Sequence, residues 1–351
     1  MQKDQKAKNS PLRPDSIDRR LSVAPMMDWT DRHCRYFHRL LAPQALLFTE
    51  MVTAEAILHA GPDRFCRHHP AEAPLALQLG GAEPDRLAEA VRAVRPFGFA
   101  EINLNVGCPS DRVQSGRFGA CLMAEPGLVA ECVSAMQEAA AVPVSVKCRI
   151  GIDDMDPQAG LDLFVDQLAA RGVQLFYIHA RKAWLKGLSP KENREIPPLD
   201  YARVADLRAR RPDLAIYLNG GLTGRQQILH HLAGFDLAKF DLAKFDGVMI
   251  GRAAYRTPWL LAELSADLHG CDLPDRRQIA RQMAAYASEQ MVGGARLHDI
   301  TRHMLGLYSG LRGAKIWRRE LGEATRGPAA DPALIERLAD WLAEQNEAAA
   351  A

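Results

Sequence analysis

Residues 75–94 read LALQLGGAEPDRLAEAVRAV, and this stretch decides the fold. Leu75–Leu79 is a short, nearly continuous apolar run, the pattern of a strand buried on both faces of a parallel sheet. Gly80 and Gly81 break it. Pro84–Val94 then reads as a helix, with Asp85 near its start and Leu87, Val91 and Val94 on one face. Strand, glycine turn and helix make one βα unit.

The unit recurs in both directions along the chain. Comparable apolar runs are Leu21–Met26, Leu46–Val52, Glu101–Val106, Val144–Ile150, Leu175–His179, Ala215–Leu218 and Gly247–Ile250. Leu161–Ala170 and Tyr201–Arg210 have helical character. Eight such strands are the count for a (β/α)8 barrel. We expect an α/β chain with a TIM barrel over residues 21–268; a doubly wound sheet is the alternative. After Leu268 the pattern changes. Residues 269–276 read as a linker, and 277–345 as an all-helical C-terminal domain. Residues 1–20 are expected to be a flexible segment and 346–351 a disordered tail.

Composition narrows the class. The chain has 351 residues, 48% hydrophobic and 25% charged, as soluble globular proteins do. Its seven cysteines are odd in number and lack metal spacing, which speaks against a disulfide framework and for a reducing compartment. The first twenty residues have no apolar core, and no run is long enough to span a bilayer. A cytoplasmic protein is expected. A net charge of +1 means that any nucleic-acid contact must come from local clusters. Residues 296–326 supply one: Arg296, Arg302, Arg312, Lys315, Arg318, Arg319 and Arg326, with Trp317 among them. On charge alone, a solvated helix face is the simpler reading of that cluster.

In barrels the chemistry sits at the carboxyl ends of the strands. Here those ends carry Pro25, Met26 and Met27; Gln78; Asn105 and Cys108; Lys147; His179 and Arg181; Asn219, Gly220 and Gly221; and Gly251 and Arg252. Loops after strands seven and eight often bind phosphate in this fold. Glycines let backbone N–H groups approach such an anion, although they can equally just turn the chain. Lys147 lies in an apolar strand and must find a partner. It could face an electron-rich ring, or pair with Glu50 or Glu101. Cys108 lies on a Gly-Cys-Pro loop at the rim, where a thiol can serve as an acid. Hydrolysis by Cys108 with His179 is a competing chemistry, and His179 could simply be a hydrogen-bonded barrel histidine. Cys34, Cys121, Cys132 and Cys148 are expected to be inert core residues. No metal site is expected, and no G-x-G-x-x-G occurs.

At these residues the chain resembles the tRNA-dihydrouridine synthases, specifically their A-type bacterial branch. The strings that carry the likeness are APMMDWTDRHCR at 24–35, INLNVGCPSDRVQSGRFGACLM at 102–123, HARKAWLKGLSPKENREIPPL at 179–199, NGG at 219–221, DGVMIGRAAY at 246–255 and ITRHMLGL at 300–307. The resemblance implies an enzyme that reduces uridine to dihydrouridine in the tRNA D-loop, chiefly at positions 20 and 20a, with FMN as cofactor and NADPH as reductant. It implies FMN contacts from Pro25, Met26, Met27, Gln78, Lys147, His179, Asn219, Gly220, Gly221, Gly251 and Arg252. Cys108 would be the proton donor and Asn105 would hold the uracil. Arg181, Lys191, Arg194, Lys315 and Arg318 would meet tRNA. A monomer with no obligatory protein partner is expected. Lys315 stands where the family usually has arginine, which keeps the charge and loses the planar fork. A tandem repeat, DLAKF at 236–240 and again at 241–245, reads as a surface insertion at the bottom of the barrel. The competing functions are an FMN barrel oxidoreductase acting on a free small molecule such as dihydroorotate, and a tRNA-binding protein without chemistry.

Overall fold

A computed structural model describes residues 17–110, 116–233, 244–327 and 330–350. Eight strands form one parallel sheet: β1 (Leu21–Val23), β2 (Leu47–Thr53), β3 (Leu75–Gly80), β4 (Glu101–Val106), β5 (Val144–Arg149), β6 (Leu175–His179), β7 (Ala215–Asn219) and β8 (Gly247–Ile250). Their order is β1-β8-β7-β6-β5-β4-β3-β2. The Val23 amide donates to the Leu46 carbonyl, and the Leu46 amide to the Leu21 carbonyl, both at 3.0 Å. Those bonds bring the two edges together, so the sheet closes into a TIM barrel and the doubly wound alternative is excluded.

β1 is shorter than the sequence pattern suggests. Thr30 accepts the Met26 amide at 2.9 Å, and the Met26 carbonyl accepts the amides of Trp29 and Thr30. The chain therefore turns at Met26 instead of continuing the ladder. β2 is irregular between Phe48 and Met51.

Alternation along each strand sorts side chains into two layers. Ala24, Phe48, Ala76, Tyr177, Tyr217 and Met249 fill the barrel interior as one apolar cluster. The intervening residues, such as Leu77, Leu79, Leu104, Val146 and Ile178, pack outward against the helices. Helix Pro84–Val94 buries Leu87, Val91 and Val94 against that outer face. Each such burial contributes about 1.5–3 kcal/mol.

Beyond helix Trp259–His269 the structure has no strand among the described residues. Helices Arg276–Val292, Leu297–Thr301, Ala314–Glu323 and Ala333–Ala350 follow. The last of these runs past Asn346, through the alanine-rich stretch read as a disordered tail; alanine has the highest helix propensity, which accounts for it. The helical segment is tied to the barrel through Asp31. That residue caps helix Arg32–Leu41 by accepting the His33 and Cys34 amides, and it pairs with Arg302 and His303. Tyr36 stacks on Tyr286 with centroids 3.9 Å apart, and Trp29 on Tyr255 at 4.4 Å. The expected flexible start lies outside the described residues as far as residue 16. Arg19 is buried under the barrel floor, which corrects that reading for its last residues. The DLAKF repeat lies outside the described residues except for Lys244 and Phe245, of which Phe245 is buried.

Candidate active site

Polar side chains at alternate positions of β4 and β5 build the rim. Glu101, Asn103 and Asn105 share one face of β4, and Ser145, Lys147 and Arg149 share one face of β5. Register sets Asn105 beside Lys147, and Gln78 beside Asn103. Asn105 Oδ1 accepts the backbone amides of Gly107 and Cys108 at 3.1 and 3.0 Å. The Cys108 carbonyl accepts the Ala120 amide, and Arg149 Nε donates to the Gly107 carbonyl at 2.9 Å. The Gly-Cys-Pro loop is thus held from three sides, with Cys108 half-buried.

Lys147 does not pair with Glu50 or Glu101. Its Nζ donates to Asn219 Oδ1 at 3.1 Å, and Asn219 in turn donates to the Met249 carbonyl at 2.7 Å. Burial, reinforced by the Arg149 charge, pushes the Lys147 ammonium down to about 8. It remains mostly a cation at neutral pH. His179 stands on the next strand, and neither ring nitrogen has a hydrogen-bond partner among the described residues. Burial first, then the charges of Arg149 and Lys147, hold its imidazole well below the ordinary value and therefore neutral.

Gly220 has a φ of +109°, and a Cβ there would lie 2.5 Å from His179 Cδ2. Gly221 (φ +65°) would place a Cβ 2.4 Å from Leu199 Cδ1. Both positions therefore need glycine. Gly251 differs. A Cβ there would meet nothing nearer than Ala24 and Met26 at 4.0 Å, so the protein itself leaves a recess beside it. Uncrowded backbone at Gly251 suits the close approach of a phosphate group, and a cation with no carboxylate partner beside an imidazole suits an aromatic ring system.

Other expected site residues are engaged differently. Gln78 is buried and bonded at both ends of its amide, to Asn103 and to Asn105, each at 2.8 Å. Arg252 pairs with Glu195 at 2.5 Å and reaches the Arg194 carbonyl at 3.3 Å. Arg181 donates to the carbonyls of Pro197 and Glu195. Both guanidinium groups therefore brace the loop between β6 and β7. Lys191 and Arg194 lie exposed on that loop, and Met27 is exposed at the mouth. Lys315 and Arg318 are exposed on helix Ala314–Glu323, away from the rim loops in sequence, whereas Trp317 beside them is core and donates to the Met304 carbonyl. Cys34, Cys132 and Cys148 are buried; Cys121, expected in the core, is only half-buried, its sulfur donating to the Phe118 carbonyl at 3.2 Å.

Two features escaped sequence reasoning. Arg149 clamps the Cys108 loop to the β6–β7 loop through the carbonyls of Lys182 and Asn193, both at 3.0 Å. Asn193 is itself buried and fixes Trp184 by bonds to its amide and carbonyl. The alternating polar residues of β4 and β5 were the available signal for the first. The second lies in a loop with no period to read.

A closed parallel barrel with a cation, an imidazole, fixed amides and a thiol gathered at the carboxyl rim has the make-up of a barrel enzyme, the rim being where chemistry sits in this fold. The family model for dihydrouridine synthase (Dus) matches residues 22–340, and the chain belongs to that family. It is 52% identical over 328 residues to a tRNA-dihydrouridine(20/20a) synthase of Vibrio parahaemolyticus, covering 93% of this chain and 96% of the relative. The synthase of that name from Synechocystis is 52% identical over 324 residues (92% and 94%), and that from Xanthomonas axonopodis 51% over 318 (91% and 92%). Among solved structures, a 2-naphthoyl-CoA reductase complex shares the fold at a TM-score of 0.52 and 11% identity, covering 72% of this chain and 50% of the other.

Proposed function

We propose that this oxidoreductase reduces the 5,6 double bond of uridine to dihydrouridine in the D-loop of tRNA, at positions 20 and 20a, using FMN and NADPH. The observation that carries the reading is the half-buried Cys108: Asn105 holds its backbone amide at the rim, and its thiol donates to Ser110 Oγ at 3.5 Å within electrostatic reach of Lys147. FMN, if bound there and reduced by NADPH, would supply the hydride needed at carbon 6 of the uracil. Pro25, Met26, Met27, Gln78, Lys147 and His179 would hold its ring, and Asn219, Gly220, Gly221, Gly251 and Arg252 its phosphate end.

The protein's own residues do the rest. The target base must leave its stack, which costs a few kcal/mol and least where it is already a loop nucleotide. Cys108 gives a proton to carbon 5. Lys147, still charged at neutral pH, would stabilise negative charge on a ring held at this rim. Asn105 keeps the thiol loop in register with the base. Lys191, Arg194, Lys315 and Arg318 meet tRNA phosphates, with Arg181 holding the loop that carries the first two. Lys315 and Arg318 have no acidic partner among the described residues, whereas Arg296, Arg302 and Arg319 are paired with Asp299, Asp31 and Glu320. That contrast supports phosphate contact at the two free cations. The helical segment from residue 277 would serve as the tRNA-holding domain. Among the described residues no helix is long and apolar enough to cross a membrane, and we place the enzyme in the cytoplasm as a monomer.

The test is direct. Purified protein with FMN, NADPH and tRNA transcribed without modifications should form dihydrouridine at positions 20 and 20a. A yellow protein whose reduced flavin is not reoxidised by tRNA would instead point to a free small-molecule substrate, and a colourless one that binds tRNA to a protein without chemistry.

A further inference from the structure

A continuous line of buried polar side chains runs through the barrel from floor to rim. Arg19 Nε donates to Glu101 Oε2 at 2.7 Å. Glu101 Oε1 accepts from Ser145 Oγ at 2.6 Å, and Ser145 Oγ accepts from Asn103 Nδ2 at 2.7 Å. Asn103 Oδ1 accepts from Gln78 Nε2, and Gln78 Oε1 accepts from Asn105 Nδ2, both at 2.8 Å. Asn105 Oδ1 then accepts the amides of Gly107 and Cys108. All six side chains are buried.

The direction of this line is not free. An amide side chain can be turned end for end, and a hydroxyl can donate either way. A carboxylate beside an arginine can only accept, so Ser145 must donate to Glu101. The hydroxyl oxygen is then left to accept, so Asn103 must present its nitrogen. Asn103 Oδ1 then faces Gln78, and Gln78 must donate to it. That leaves Gln78 Oε1 toward Asn105, which must present its nitrogen there and its oxygen to the rim. The backbone amides at the far end can only donate, and they ask for that same oxygen. Turning one amide alone would set two donors or two acceptors against each other in a buried site, with no water to relieve them.

We infer that Glu101, on the floor of the barrel, is a positioning residue for the reaction: through Ser145, Asn103 and Gln78 it fixes the orientation of Asn105 and thereby the seat of the Cys108 loop. The inference rests on the reading of Cys108 as the rim acid. It assigns roles to Arg19, Glu101, Asn103 and Ser145, none of which touches the substrate space.

The experiment cuts the line at its middle. Ser145→Ala removes the link without adding volume. Asn103→Leu keeps the branched heavy-atom outline and removes both the donor that faces Ser145 and the acceptor that faces Gln78. In the free protein, hydrogen exchange at the Gly107 and Cys108 amides should accelerate roughly tenfold or more in both variants. In turnover with tRNA, kcat should fall on the order of tenfold to a hundredfold, as expected when a reacting group moves by up to about 1 Å, while KM for tRNA stays the same. Should Ser145→Ala fail to fold, Asn103→Leu gives the same reading. Unchanged exchange at both amides, with kcat intact, overturns the inference. A merely structural role is likewise indicated, and the inference lost, if Tm falls while the two amides and kcat hold. Faster exchange in a protein whose parent form makes no dihydrouridine upholds the network and rejects the proposed reaction instead.

Discussion

Replacing Lys147 by methionine should make the flavin-free protein more stable and less active, and the gain should depend on pH. The ordinary lysine value is 10.5, and burial with the Arg149 charge brings Lys147 to about 8. That difference corresponds to about 3 kcal/mol favouring the neutral amine in the folded protein. Between those two values the unfolded chain binds the proton that the folded chain has released, so stability rises as pH climbs from 8 to 10.5. Below pH 8 the full penalty of holding the ammonium applies. Methionine removes it and gives up the bond to Asn219, which returns about 1 kcal/mol. The net gain at pH 7 is about 2 kcal/mol, or roughly 3 °C in Tm for a chain of this size. Paired melts of both proteins at pH 7 and pH 10.5 read it. The advantage of the variant should be lost at the higher pH, while dihydrouridine formation at pH 7 drops. A methionine variant less stable at pH 7, or a gain indifferent to pH, would refute the reasoning that the barrel holds a costly cation for the reaction's sake.

Three further outcomes follow from the same geometry. Gly220→Ala forces a side chain into a φ of +109° and against His179, so it should cost about 1–3 kcal/mol and reduce the flavin bound per chain, measured by absorbance after gel filtration. Asp31→Ala removes a helix cap and the pairing to Arg302 and His303, and should destabilise the protein by about 2–4 kcal/mol. Burial raises the Asp31 carboxyl, but His303, the Cys34 amide and Arg302 outweigh it and hold the group below its ordinary 3.8, so this contribution is present above about that pH and shrinks as acid is added; melts at pH 7 and pH 3.5 compare the two proteins. Lys315→Ala and Arg318→Ala should each weaken tRNA binding and flatten the plot of log affinity against log salt by roughly 0.7–0.9, leaving flavin content unchanged.

The fold was readable because a parallel barrel repeats itself. β4, β6 and β8 and the helices Pro84–Val94 and Tyr201–Arg210 start and end where apolar periodicity places them. β1 stops early because Thr30 captures Met26, a local side-chain bond with no periodic trace. The rim was readable for a related reason, since strand ends name the positions where chemistry gathers. What those side chains touch was not. Lys147 was weighed against two carboxylates and found an amide; Arg252 and Arg181, expected at ligands, also brace a loop. Glu101 was counted inside an apolar run, yet its partner Arg19 comes from a segment read as flexible. Such pairings bridge residues far apart in the chain, as Arg19 and Glu101 do at a separation of 82, and composition and spacing do not encode them.

The most direct measurement is product formation by the Cys108→Ala variant. After reduction by NADPH, the flavin-loaded variant is mixed with unmodified tRNA and dihydrouridine is counted at each D-loop position. With the proton donor gone, the variant should keep its flavin and its oxidation of NADPH while yielding little or no dihydrouridine. Product at the rate of the unaltered enzyme would contradict the assignment of that thiol as the acid.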